Sequence, residues 1–129
     1  MKIFDCTTYF DEPLLFELRL NILDKFVDEF FVCEATYTHS GQPKKINFDK
    51  NNYSNFKNRI THIIVDQEPN NLLEISDADK INNSLFRLNA AKRIKKQRDA
   101  IASCFDKSND NDWVIYSDSD EIPDLSKID

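Results

Sequence analysis

Glycine is nearly missing from this sequence: Gly41 stands alone among 129 residues. Neither a GxGxxG turn nor a Walker loop can be written with one glycine, so the Gly-rich phosphate cradles are excluded. Cysteine is sparse and odd in number, with Cys6, Cys33 and Cys104 and no CxxC pair. A disulfide framework is therefore not expected; free thiols in a reducing compartment are, and with them a cytoplasmic location. Excess positive charge is lacking too. The formal net charge is −6 and the pI near 4.9, which argues against a broad nucleic-acid or anionic-membrane surface. No run approaches the ~20 apolar residues that span a bilayer. The start, Met1-Lys2-Ile3-Phe4-Asp5, carries no long apolar stretch of the secretory kind.

What is present suits one globular domain over residues 1–129, with 40% hydrophobic and 31% charged residues. Lys2 to Phe10 reads as a strand rich in β-branched and aromatic residues. Asp11-Glu12-Pro13 reads as a helix start with Asp11 as cap, and Leu15, Leu18, Ile22 and Phe26 recur at helical spacing. Phe30 to Ala35 is a near-continuous apolar run, as in a strand covered on both faces. Ser40-Gly41-Gln42-Pro43 is the strongest turn signal. A short polar helix is expected over 49–58, a third strand over Ile60 to Val65 and a surface connection over Gln67 to Asn83. Ser84 to Phe105 reads as a long helix and Trp113 to Ser117 as a fourth strand. Strands alternating with helices predict an α/β fold, a mainly parallel four-stranded Rossmann-like sheet flanked by helices.

The most informative stretch is Tyr116-Ser117-Asp118-Ser119-Asp120-Glu121-Ile122-Pro123, where the last strand, read as buried, runs into acidic side chains. In open α/β sheets, ligands bind beyond the carboxyl ends of strands. If the extended geometry continues, Asp118 and Asp120 point the same way. Such a pair repels itself unless a cation lies between, and its oxygen donors suit Mg²⁺ or Mn²⁺. The plainer alternative is a solvated acidic loop that ends a strand. A calcium EF-hand starting at Asp106 fails, because Asn111 and Ser117 stand where glycine and glutamate are needed. A haloacid-dehalogenase-type phosphatase survives weakly: Ile122 occupies the place usually held by Thr or Val, and no downstream lysine and acid follow.

Arg98 falls on the apolar stripe formed by Leu85, Leu88, Ile94, Ile101 and Phe105. An inward guanidinium needs an anionic partner. Asp118, Asp120 or a bound phosphate would serve. Lys92, Arg93, Lys95 and Lys96 read as a solvated outer face. Arg19 is expected to pair with Glu17, Glu34 or the sheet. The cysteines read as small core hydrophobes, and His39 and His62 lack metal-ligand spacing. The sequon-like Asn52-Tyr53-Ser54 and Asn82-Asn83-Ser84 are discounted without a signal peptide.

Taken in order, several segments resemble glycosyltransferase family 17, the β-1,4-mannosyl-glycoprotein N-acetylglucosaminyltransferases that add bisecting GlcNAc. They are Lys2-Ile3-Phe4-Asp5-Cys6, Leu14 to Asn21, Val27 to Lys44, Gln97-Arg98-Asp99-Ala100-Ile101 and Ser117 to Pro123. The resemblance implies a GT-A-like domain whose DxD motif binds metal and donor. Carried over, Asp118 and Asp120 would hold a divalent cation, with Asp118, Arg98, Asp99 and Glu34 on the donor side. Ser40-Gly41 matches the same second-strand motif as Glu34. The implied chemistry is transfer of GlcNAc from UDP-GlcNAc to a glycan hydroxyl with inversion, which needs an acceptor-side base. Family members continue well past the DxD, so the chain corresponds to the N-terminal, donor-binding half, with acceptor contacts and base expected in the missing half. The expected partners are a UDP-sugar, a glycan acceptor and a second copy or complementing chain. The competing expectation is a catalytically inactive, truncated interaction module.

Overall fold

The computed structural model describes residues 1–75 and 83–128. Four strands, β1 (Ile3–Thr8), β2 (Glu29–Ala35), β3 (Ile60–Val65) and β4 (Trp113–Tyr116), form one sheet in the order β3-β2-β1-β4. Every pairing is parallel: Cys6 lies opposite Phe31 on one side and Tyr116 on the other, and Val32 lies opposite His62. The chain therefore steps outward from β1 to β2 and β3, then crosses back to place β4 on β1's free side. Two crossovers running in opposite directions put their helices on opposite faces, and the sheet's topological switch lies between β1 and β4. Among the described residues, no helix is long and apolar enough to cross a membrane.

The first face is built on α1 (Pro13–Leu23), whose first turn holds Pro13, where a missing N–H costs nothing. Glu12 rather than Asp11 is the residue before the helix, and its Oε2 accepts from the backbone N–H of Phe10 and Asp11 instead of capping α1. The helix buries Phe16, Arg19, Leu20 and Leu23. The expected stripe was offset: Leu18 and Ile22 are 50% and 45% exposed. Apolar residues occur all round this helix, so periodicity alone does not choose its inner face. Phe16, Leu20, Leu23 and Val27 pack with Phe30 and Val32 of β2 and with Phe48, Phe56 and Leu125. Residues 49–58 form no single helix. Two 3-10 turns, Lys50–Asn52 and Lys57–Arg59, bracket them, with Asp49 capping the first.

The second face carries Phe4, Cys6, Phe31, Cys33 and Ala35 under α2 (Asn83–Ala100) and its 3-10 continuation Ile101–Lys107. Alternate β2 side chains thus enter different cores, as its unbroken apolar run predicts. The inner face of α2 is partly polar and centres on Asn89, Gln97, Ile101 and Cys104, whereas Leu88 and Phe105 are exposed. Gln97 donates to the Cys33 carbonyl at 3.0 Å while the Cys33 thiol donates to the Gln97 carbonyl at 3.2 Å. The lysine-rich side of α2 lies outward as expected, with Lys95 exposed, and it also tethers the preceding loop. Lys92 and Lys96 donate to the carbonyls of Asn71 and Glu68, Arg93 pairs with the Glu68 carboxylate, and Asn89 bonds Leu73 at both its N–H and C=O. The connection expected over Gln67 to Asn83, and the Asn82 sequon, lie partly outside the described residues. All three cysteines are free and buried, with Cys6 Sγ and Cys104 Sγ 3.7 Å apart. Burial raises each thiol above its ordinary value, Cys33 to about 12, which keeps them protonated.

One ion pair ties the first face together. Asp5 interrupts the apolar run of β1, and Arg19 meets it in bidentate fashion, with Nε and Nη2 each 2.7 Å from a carboxylate oxygen. Both side chains are buried. Removing one partner of such a pair strands a charge, at a cost of about 3–5 kcal/mol. Arg19→Met is therefore expected to lower stability in urea denaturation by that amount, and Arg19→Met with Asp5→Leu to recover part of it. A single-variant loss under about 1 kcal/mol would contradict the assignment.

Candidate functional site

The rest of the Arg19 guanidinium builds the end of β4. Nη1 donates to the carbonyls of Asp118 and Glu121, both at 3.0 Å, and Nη2 donates to Ser117 Oγ at 2.6 Å. Ser117 Oγ in turn donates to the Glu121 carbonyl at 2.6 Å. The Glu121 N–H closes a turn on the Asp118 carbonyl at 2.9 Å. Every N–H of this buried arginine is used, so its charge is compensated while it pins a backbone turn. Beyond the turn, Ile122 and Leu125 pack into the first core.

The turn corrects one expectation. Strand geometry ends at Tyr116, so the alternation that would aim Asp118 and Asp120 the same way does not extend through Asp118-Ser119-Asp120-Glu121. Nor is β4 buried: it is an edge strand, with Trp113 50% and Tyr116 39% exposed.

A cleft of about 300 Å³ opens at the carboxyl edge of the sheet, over the switch between β1 and β4. Thr8, Tyr9 and Phe10 line it from the end of β1, Tyr37, His39 and Lys44 from the loop after β2, Gln97 and Arg98 from α2, and Asp118 and Ser119 from the turn. The loop after β2 doubles back through Gly41, whose φ of +88° favours glycine. Tyr37 bridges Pro43, and Arg93 donates to the His39 carbonyl at 3.1 Å. A Cβ at position 41 would lie 2.6 Å from Arg93 Nη2, a side-chain end that could shift, so it is the conformation that calls for glycine there.

Arg98 and Asp118 meet in this cleft. Arg98 Nη2 lies 3.5 Å from Asp118 Oδ1, and the guanidinium sits over the Tyr116 ring at 5.8 Å. The side chains are 50% and 43% exposed, so Arg98 is not the inward, buried arginine its stripe position suggested. The Tyr116 hydroxyl donates to the same Oδ1 at 3.1 Å. Burial and then the Asp118 carboxylate raise the Tyr116 phenol above its ordinary value, which keeps it a donor.

Asp120 is exposed and lies outside the cleft lining. Asp99 is turned elsewhere: it pairs with Lys95 at one helical turn and lines a separate depression with Lys92 and Lys96. Glu34 is fully buried and lines no part of the cleft. Its Oε2 accepts from Lys44 Nζ at 2.6 Å and from the Asn47 N–H at 2.7 Å, and Oε1 accepts from the Phe48 N–H at 2.9 Å. His62 Nε2 stands 3.6 Å from Oε1, beyond hydrogen-bond distance. Glu34 thus shapes the loop that carries Lys44 to the cleft.

As donors for a cation, Asp118 and Asp120 fit a hard divalent ion by oxygen chemistry. Oδ2 of Asp118 and the Asp120 carboxylate accept no hydrogen bond from the described residues, and Oδ1 of Asp118 is shared with Arg98 and Tyr116. Among the described residues no three His, Cys, Asp or Glu side chains converge. One or two carboxylates are therefore what these side chains would offer a cation at this turn.

Asp5, Arg19, Tyr116 and Lys44 were not singled out as site-builders from the sequence. A carboxylate inside the apolar run of β1 was the available signal for the first two, since a buried charge demands a partner.

The model of glycosyltransferase family 17 matches residues 1–129, the whole chain, and the chain belongs to that family. No curated protein and no solved structure matches it.

Burial alone would raise the Glu34 carboxyl, but His62, the Asn47 N–H, Lys44 and the Phe48 N–H outweigh it and hold the group at about 2, below its ordinary 4.5. A carboxylate held low in the folded chain contributes stability that is complete above its unfolded value and is lost as pH falls through its folded value. Urea denaturation is thus expected to show stability dropping from about pH 4.5 toward pH 2, with a shallower drop in Glu34→Gln. Equal slopes would contradict this role.

Proposed function

We propose that this family 17 chain carries the donor site of a metal-dependent N-acetylglucosaminyltransferase, binding UDP-GlcNAc for inverting transfer to a glycan hydroxyl. Membership in a glycosyltransferase family supports the reaction class. The observation that carries the finer assignment is the cleft at the sheet's switch point, where Arg98 and Asp118 stand together beyond the strand ends.

In this account Asp118 and Asp120 would hold Mn²⁺ or Mg²⁺ against the donor diphosphate. The cation would neutralise the charge that grows on the departing UDP. Arg98 offers its planar fork to phosphate oxygens. Phe10, half exposed at the cleft, offers aromatic surface to the nucleoside. Glu34 acts indirectly, by fixing the loop that carries Lys44. Asp99, given to the donor side by the family resemblance, lines a depression apart from the cleft. The base that deprotonates the acceptor hydroxyl belongs to the acceptor side, outside the residues assigned here. A reducing, cytoplasmic setting, expected from the odd, sparse cysteines of the sequence, belongs to the same proposal.

A second role, as an interaction module, is favoured by one feature. Leu14, Leu18 and Ile22 form an exposed apolar row along α1, 80%, 50% and 45% accessible, as a face that docks another chain would. A phosphatase activity has no support beside the family assignment.

Calorimetric titration with UDP-GlcNAc is expected to give binding that needs Mn²⁺, and Asp120→Ala should weaken it about tenfold, the order of one charge-assisted contact. Equal affinity with and without Mn²⁺, or in Asp120→Ala, would refute the metal-dependent donor site. No binding at all, together with dimerisation, would favour the interaction module.

A further inference from the structure

The Arg98–Asp118 pair differs in kind from the buried pair beneath it. Arg19 is locked by hydrogen bonds on every side, whereas Arg98 meets a single carboxylate oxygen at 3.5 Å with both side chains about half in solvent. Exposed pairs of this sort shift an equilibrium by about fivefold at most, so this contact is made to be broken. The oxygen it meets, Oδ1 of Asp118, also takes the Tyr116 hydroxyl, and the Tyr116 ring lies under the guanidinium. Tyr116 therefore steadies both partners from one side of the cleft. A divalent cation on the Asp118 carboxylate would sit beside a fixed positive charge, and like charges at that range repel.

Resting on the donor-and-metal site assigned above, we propose that Arg98 is the resident counter-ion of Asp118, displaced when a divalent cation binds and thereby released to the diphosphate of the nucleotide. Arg98 then opposes the cation taken alone and favours the nucleotide. Each ligand draws Arg98 toward the arrangement the other needs, so metal and nucleotide bind with positive cooperativity, and the coupling is reciprocal. Tyr116 is a positioning residue in this exchange: its hydroxyl keeps Oδ1 oriented after the guanidinium has left.

The test uses Mn²⁺ alone, followed by its spin-resonance signal, and UDP and uridine, followed by calorimetry. Arg98→Met removes the charge from a half-exposed position and keeps an unbranched apolar stem there. It is expected to bind Mn²⁺ alone about three- to fivefold tighter than the native chain. It should also bind UDP about tenfold weaker, with uridine unchanged, since only phosphate contacts are lost. Arg98→Lys, which keeps the charge, should remain near the native chain for Mn²⁺ alone. Mn²⁺ binding by Arg98→Met that is equal to or weaker than native overturns the exchange while leaving the donor site standing. A native chain that binds neither Mn²⁺ nor UDP overturns both.

Discussion

The buried guanidinium of Arg19 is the constraint from which the rest of the site follows. On one side it neutralises Asp5 in the middle of β1, and on the other it holds the carbonyls of Asp118 and Glu121 and the Ser117 hydroxyl. It thereby decides which face of α1 turns inward and where the chain bends after β4. The acidic turn is consequently a rigid part of the core wall, although its carboxylates reach solvent. A charge with no exposed surface survives here because every donor finds an acceptor, the condition under which a buried ion pair specifies geometry instead of merely costing stability.

The cleft inherits its position from topology and its charge from a few side chains. Parallel strands in the order β3-β2-β1-β4 leave a crevice at the carboxyl edge where the crossovers diverge. The loop after β2 closes one wall of it, shaped by Glu34 from below and by Arg93 from α2. The opposite wall is the acidic turn. Lys44 and Arg98 face the same space as Asp118, so the cleft carries both signs of charge.

Much of the fold was legible in the sequence. Ile3, Phe4 and Cys6, the run Phe30 to Ala35, and Pro13 and Gly41 as punctuation mark the strands, the first helix and the main turn. The inner face of α1 was not legible, because Leu14, Leu15, Leu18 and Ile22 form as good a stripe as Phe16, Leu20 and Leu23. What selects the second stripe is Arg19, which pairs with the sheet, as the sequence reading allowed, through Asp5 of β1. The inner face of α2 was hidden for a related reason. Asn89 and Gln97 are polar, and their burial is stabilised by backbone groups of Leu73 and Cys33 that no local pattern reveals. The family segments pointed to Arg98 and Asp118, which the cleft brings together. Asp99, its neighbour, and Glu34 were carried by the same segments but face elsewhere. The bend at Asp118 depends on an arginine 99 residues earlier, so extending the strand through the DxD overlooked a tertiary restraint.

The central claim is that the cation and the sugar nucleotide meet at the turn after β4, beside Arg98. Paramagnetic broadening of amide signals by Mn²⁺ in the presence of UDP tests that location most directly. Signals from Ser117 to Glu121, with Thr8 and Arg98 next, should broaden first at low Mn²⁺. Broadening centred instead on Asp99 and the lysines of α2, or spread evenly over the acidic surface, would contradict the account.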